Sequence, residues 1–376
     1  MRRLRALAVT AAPHTRLLLF AAVLMSLFAY AGRPLLIAAA AAGAPPALAW
    51  SSLFVLAMLP MLAWFGRGRP AAHWIGYATL ALFSLLFTLV VLGDVVRLSF
   101  RIAGAMLDAR LAAYTILGTA GALSLVGLFQ ARRPRIRRVA IPIDDLPQEL
   151  DGYRIVQWSD VHVGPTIRRR FLQALVDRTN ELQPDAIAIT GDFVDGSFDE
   201  FRSELEPLSN VRSRDGIFYV TGNHEYYWRV TDWLSEFERY DFRFLKNSHE
   251  VIARGKANLV MAGVTDPVGR YTHKQNPDAA LAGTPSGAIK VLLSHRPQTA
   301  TAADRLGVHL QLSGHTHGGQ FFPFNLMIKW FQPIVAGLHR VGKTWLYVNR
   351  GTGYWGPPTR LFVGGEITVV ELRRSA

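Results

Sequence analysis

No cysteine occurs in the 376 residues. That absence excludes disulfides, thiolate metal ligands and cysteine nucleophiles, and it leaves the redox compartment open. Residues 1–140 also lack lysine and hold only two acids, Asp94 and Asp108, against fifteen arginines. This part of the chain therefore carries the whole net charge of +13, and residues 141–376 are balanced. Arginine flanking apolar sequence is a signal of membrane topology and anionic lipid. A catalytic half that bound polynucleotides would more often be basic itself, so nucleic acid is not expected as a partner.

Charge-free apolar runs occupy residues 17–31, 47–64, 74–92 and 113–129. A helical span needs roughly 20 apolar residues, with a lower limit near 17. The last three runs suit that length; the first is short before Arg33-Pro34. About four spans are expected over residues 1–131, as a transmembrane helical domain, with a basic juxtamembrane linker at 132–150. Arg2, Arg3, Arg5, Arg16, Arg67, Arg69 and the run from Arg132 to Arg138 then fall on one side. The positive-inside rule makes that side cytoplasmic, giving a multi-pass inner-membrane protein with its C-terminal domain in the cytoplasm. Arg97, Arg101 and Arg110 oppose this orientation unless they lie on an interfacial helix.

From residue 151 to 376 the pattern becomes α/β. Short β-rich runs at 154–158, 186–190, 217–221, 289–293 and 308–312 each end in a polar cluster, and 259–264, 345–348 and 367–371 supply further strands. Phe171, Leu172, Leu175, Val176 and Leu182 have helical spacing. The clusters are Asp160-Val161-His162, Gly191-Asp192, Gly222-Asn223-His224-Glu225, Ser294-His295 and Gly314-His315-Thr316-His317. Ligands of open α/β sheets gather at the carboxyl ends of strands. Mixed oxygen and imidazole donors suit Mn, Fe, Zn, Co or Ni rather than calcium. Residues i and i+2 of a strand share a face, which would aim His315 and His317, or Asp160 and His162, at one centre.

The order of these blocks resembles the calcineurin-like metallophosphoesterase superfamily. The segments Gly314-His315-Thr316-His317-Gly318-Gly319-Gln320 and Asn349-Arg350-Gly351-Thr352-Gly353-Tyr354-Trp355 are similar to its membrane-associated YkuE-like and YaeI-like phosphodiesterase branch. The resemblance implies a four-layer α/β/β/α sandwich and two divalent metals. Asp160, His162 and His317 would hold one metal, Asn223, His295 and His315 the other, and Asp192 would bridge them. His224 would act beside the phosphate, as charge stabiliser or general acid. Two such cations, roughly 3.5–4 Å apart, activate water for in-line displacement. The implied reaction is hydrolysis of a phosphodiester or pyrophosphate, with an envelope or lipid-linked substrate at the membrane surface. A nucleotide phosphodiesterase or nuclease, and a non-catalytic metal-binding scaffold, are the rival readings.

Phosphoprotein phosphatases of the superfamily place Arg after Gly-Asp; here Phe193-Val194-Asp195-Gly196 follows, without Arg. Asp195 and Glu225 read as turn or ligand-supporting residues, and Arg296 as either phosphate-facing or salt-bridged. The apolar stretch 321–331 is expected as domain core, or alternatively as a wall that touches the bilayer.

Overall fold

The structure, a computed structural model, describes residues 13–65, 69–270 and 273–375. Arg2, Arg3, Arg5 and Arg67, used above for topology, lie outside these residues. The chain forms two compact units, Met1–Val126 and Gly127–Ala376.

The first unit is helical: α1 (Pro13–Ala31), α2 (Arg33–Ala41), α3 (Pro46–Met58), α4 (Pro70–Ile102) and the greater part of α5 (Ala109–Arg132), whose residues from Gly127 onward belong to the second unit. Two of these, α4 with 33 residues and α5 with 24, are long and apolar enough to cross a membrane. At 1.5 Å per residue they reach about 50 and 36 Å, against a hydrocarbon layer of about 30 Å. The first expected span continues through Gly32 into α2 with a bend of 50°, and the pair qualifies only if counted as one broken span. The second expected span is a shorter apolar helix, Pro46–Met61, because Pro60 removes a helical donor and clashes with the preceding turn. Phe28, Leu53, Phe83 and Leu86 form the buried centre of this unit. Asp94 of α4 accepts from Arg33 at 2.6 Å and from Tyr30 at 2.7 Å, so the acid is paired and hydrogen-bonded.

Among the described residues, the second unit holds twelve strands. One sheet has the order β1-β12-β2-β3-β4-β5, where β1 is Arg135–Ile143, β2 Arg154–Trp158, β3 Ala186–Thr190, β4 Gly216–Val220, β5 Phe242–Phe244 and β12 Glu366–Arg374. The other has the order β10-β11-β9-β8-β7-β6, built from β6 (Ser248–Arg254), β7 (Ala257–Gly263), β8 (Ile289–Leu293), β9 (Leu310–Ser313), β10 (Gly337–Val341) and β11 (Thr344–Val348). Strands β2 to β5 are mutually parallel, as are β7, β8, β9 and β11.

Alternation along the strands shows which face meets which layer. Ile155, Ala186, Ala188 and Phe218 join Leu259, Met261, Val291 and Leu312 in one buried cluster shared by both sheets. The intervening Val156, Ile187, Ile189 and Tyr219 face the opposite way. They pack with Phe171, Leu172 and Leu175 of α6 (Arg169–Glu181) and with Trp233 and Phe237 of α7 (Val230–Glu238). On the second sheet Val260, Ala262 and Leu292 pack with Ala280 and Leu281 of α8 (Pro277–Leu281) and Ala303 of α9 (Ala300–Arg305). Each fully buried aliphatic side chain contributes roughly 1.5–3 kcal/mol, which fixes the register wherever one face is apolar.

Two expectations fail here. Residues 132–150 are not simply a linker, because Arg135–Ile143 is a full strand paired in parallel with β12. Its arginines hide the signal: Ile141 and Ile143 are buried while Arg135 and Arg138 stay exposed. The segment 321–331 is not core; none of its residues between Phe324 and Phe331 is buried, and Trp330 is 77% exposed.

Candidate metal centre

The five polar clusters sit where β2, β3, β4, β8 and β9 end. His315 and His317 are not i and i+2 on a strand, since β9 stops at Ser313, and Asp160 and His162 likewise follow the end of β2. The chain turns instead through left-handed backbone. Asp160, His162, Asp192, His315 and His317 all have positive φ, between 51° and 72°. Such conformations are strained for residues with a β-carbon and cluster at functional sites. Close packing of the loops demands glycine beside them: a β-carbon on Gly314 would stand 1.8 Å from Ser159 Oγ and 2.2 Å from Asp160 Oδ2.

The loops bring the donors together in two groups. In the first, His317 Nε2 lies 3.1 Å from His162 Nε2 and 3.3 Å from Asp160 Oδ1. In the second, His295 Nε2 lies 3.1 Å from His315 Nδ1 and 3.2 Å from Asp192 Oδ2. Two ligands on one tetrahedral ion with bonds near 2.0–2.1 Å sit about 3.3 Å apart, so these spacings fit common coordination. The same Asp192 Oδ2 is 3.9 Å from His162 Nε2, which places one carboxylate oxygen near both groups. Asn223 opens the short helix Asn223–Tyr227, and its buried Oδ1 has no hydrogen-bond partner among the described residues. An orphaned buried acceptor is costly, and a cation would satisfy it. The donor set fits a divalent metal pair.

Electrostatics agree. Burial, helped by the charge of His224, pushes His162 down to about 3. Burial, with His295 and Arg296, pushes His315 to about 3, and burial with Arg360 holds His317 well below its ordinary value. These three imidazoles are therefore neutral, the form that binds metal. His295 behaves oppositely: burial lowers it, but Asp192, joined by Asp160 and Asp266, prevails and raises it to about 10. Burial raises Asp160 to about 6 against the opposing charge of His295.

Supporting residues fix these candidate donors. His295 Nδ1 donates to the Thr190 carbonyl at 2.8 Å, leaving Nε2 to face the cluster. Ser159 Oγ donates to Asp160 Oδ2 at 2.5 Å. Glu225 takes no place in either group. Its oxygens accept from the backbone N–H groups of Asp192, Phe193 and Gly222 at 3.1, 2.7 and 2.7 Å, clamping two ligand loops. Asp195 Oδ1 accepts from His224 Nδ1 at 2.8 Å and from Trp228 Nε1 at 3.1 Å. Burial lowers His224, but Asp195 and the neighbouring Asp192 and Glu225 prevail and raise it to about 9. Arg296 is salt-bridged, to Asp266 at 2.8 Å. Arg360, fully buried, carried no sequence signal. It donates to the carbonyls of Gly353 and His317 at 2.9 Å, and its Nη2 lies 3.1 Å from His317 Nδ1.

Residues 153–319, which span every donor named above, match the model of the Calcineurin-like phosphoesterase family. A "Transmembrane protein with metallophosphoesterase domain" from Danio rerio is 37% identical over 265 residues, covering 67% of this chain and 61% of that protein. An "Uncharacterized metallophosphoesterase" from Helicobacter pylori strain J99 is 38% identical over 244 residues, covering 64% of each. The chain thus spans a little over three fifths of these relatives. It covers 92% of an "Uncharacterized metallophosphoesterase" from Aquifex aeolicus, at 30% identity over 246 residues and 64% of this chain. A chain with this sheet order, these paired donor groups and these relatives belongs to the calcineurin-like metallophosphoesterases, a family of metal-dependent phosphoester hydrolases.

Proposed function

We propose that the chain hydrolyses a phosphodiester or pyrophosphate bond at a membrane surface, using two divalent ions from among Mn, Fe, Zn, Co and Ni. Asp160, His162 and His317 would hold one ion, Asn223, His295 and His315 the other, with Asp192 between them. The observation that carries the reading is the position of Asp192 Oδ2, within 4 Å of a histidine nitrogen from each group. When bound, the ions supply Lewis acidity that polarises phosphoryl oxygen and acidifies water. His224, held by Asp195 through Nδ1, has Nε2 left to donate a proton to the departing oxygen. No arginine follows Asp192, which favours diesters and anhydrides over phosphoproteins. The charge balance of residues 141–376 disfavours polynucleotides, and a scaffold would need no proton donor beside its metals.

The layers of the second unit we read as α/β/β/α. Four membrane passages with both chain ends cytoplasmic remain our reading of the arginine placement, and an inner-membrane location suits an envelope or lipid-linked substrate. Metal analysis combined with a panel of p-nitrophenyl phosphate, bis(p-nitrophenyl) phosphate and a nucleotide-sugar pyrophosphate tests the proposal. Asp192→Ala is expected to lose metal and activity. His224→Ala should retain metal and lose at least ~100-fold in turnover. Full metal content and activity in Asp192→Ala would exclude the bridging role.

A further inference from the structure

We infer that the exit of the last apolar helix carries a binding site for the phosphate headgroup of an anionic phospholipid. Two pockets, of about 700 and 480 Å³, lie on either side of the start of β1. The larger is lined by Arg132, Arg133, Arg135, Arg170 and Arg178 and, among the described residues, by no carboxylate. The smaller is lined by Arg135, Arg137 and Arg350 with a single acid, Glu366. Its Oε1 accepts from Tyr347 Oη at 2.7 Å and from Arg350 N at 3.1 Å, and its Oε2 lies 3.8 Å from Arg137 Nη1, so this one acid balances Arg137 and leaves Arg135 and Arg350 as the excess charge of the pocket. Arg135 belongs to both pockets.

The cations are not there by default. On α6 and just before it, Arg169 and Arg168 are neutralised by Glu206 and Glu204, whereas Arg170 and Arg178 of the same helix face the acid-free pocket. Arg350 Nε is buried without a hydrogen-bond partner among the described residues. A guanidinium fork matches phosphate oxygens in geometry as well as charge, and several around one cavity would pay for desolvating such an anion.

The surroundings select a lipid rather than a soluble phosphate. Each pocket includes an exposed phenylalanine, Phe129 at 58% and Phe362 at 62%. Phe362 packs edge-on against Phe322, ring centroids 6.0 Å apart, and Phe322 leads into the exposed apolar residues Phe324, Leu326, Trp330 and Phe331. This surface is tied to the last turns of α5: Arg360 N donates to the Gly127 carbonyl at 3.0 Å and Phe362 N to Gln130 Oε1 at 3.2 Å. Arginine-lined cavities beside exposed aromatics, at the end of a membrane-length helix, are matched by an amphiphile with an anionic head. Free phosphate would answer the arginines and leave the aromatics in water.

The full chain is reconstituted in nanodiscs containing equal phosphatidylglycerol and phosphatidylcholine, and co-purifying lipid is counted by native mass spectrometry. Phosphatidylglycerol should be retained at least about tenfold over phosphatidylcholine. The double variant Arg135→Gln, Arg170→Gln, which removes no hydrogen bond to the backbone, should lower that retention roughly 30-fold, on the basis of about 1 kcal/mol per arginine near a lipid surface. Its metal content should not change. Equal retention of the two lipids would overturn the inference, as would undiminished retention in the double variant. Displacement of the lipid by millimolar inorganic phosphate would overturn it too, by assigning the pockets to a soluble anion.

Discussion

Removing the Glu225 side chain tests how the metal loops are held without touching a proposed ligand. In Glu225→Ala three buried N–H groups, of Asp192, Phe193 and Gly222, lose acceptors at 3.1, 2.7 and 2.7 Å, and that of Val194 loses a longer one at 3.4 Å. An unsatisfied buried donor costs about 1–3 kcal/mol, so the low end of the sum is roughly 3 kcal/mol. One offset exists: burial and the charge of Asp192 push Glu225 up to about 7, so part of the lost carboxylate was itself unfavourable. The Gln variant separates these effects. Both carboxylate oxygens accept from N–H groups, so an amide removes the charge but must turn its own NH₂ toward a donor. Glu225→Ala should melt at least ~6 °C lower in detergent, at about 2–4 °C per kcal/mol for a unit of this size; Glu225→Gln, which keeps one acceptor oxygen, should melt lower than wild type by a smaller amount, and both should lose metal on dialysis faster than wild type. A Glu225→Gln variant with unchanged melting and unchanged metal retention would refute the clamp.

Two further outcomes concern protons. His295 is raised to about 10 in the metal-free site yet must be neutral to bind metal, so loading the stripped protein at pH 7 should release about one proton. Calorimetry in buffers of different ionisation enthalpy reads this directly, and metal affinity should weaken as pH falls; heats independent of the buffer would contradict it. The same pair stabilises the metal-free fold while His295 is protonated, fully below its ordinary pKa and progressively less as pH rises toward 10. For His224, the bond to Asp195 raises its pKa. Asp195→Asn should therefore move the alkaline limb of turnover to lower pH while metal content stays constant; an unmoved limb would show that His224 is not the titrating acid.

Much of the second unit was legible because its parallel strands are buried on both faces and read as short apolar runs ending in polar residues. The donors were legible for the same reason, since each follows such a run. What sequence spacing misjudged was local. A two-residue repeat suggested side chains on a strand face, while the backbone at Asp160, His162, His315 and His317 is left-handed. Strand β1 was hidden because arginines fill three of its first four positions and only Ile141 and Ile143 at its far end are buried, and a basic run resembles a tether. Arg360 could not be found, because nothing in a lone arginine says that its partners will be main-chain carbonyls around a metal loop. The count of membrane passages suffered from breaks at Gly32 and Pro60, where length alone cannot tell a bent helix from two.

The sheet order also sets a timetable. Among the described residues β1 pairs only with β12, and β12 separates it from β2. On a ribosome, the segment emerging directly behind α5 would thus wait, edge open, until residues 366–374 had been synthesised some 220 positions later. Membrane insertion can finish long before the second unit closes, and an unpaired edge is a hazard for misassociation over that interval. Losing the last dozen residues would strip two strands at once rather than fray one end.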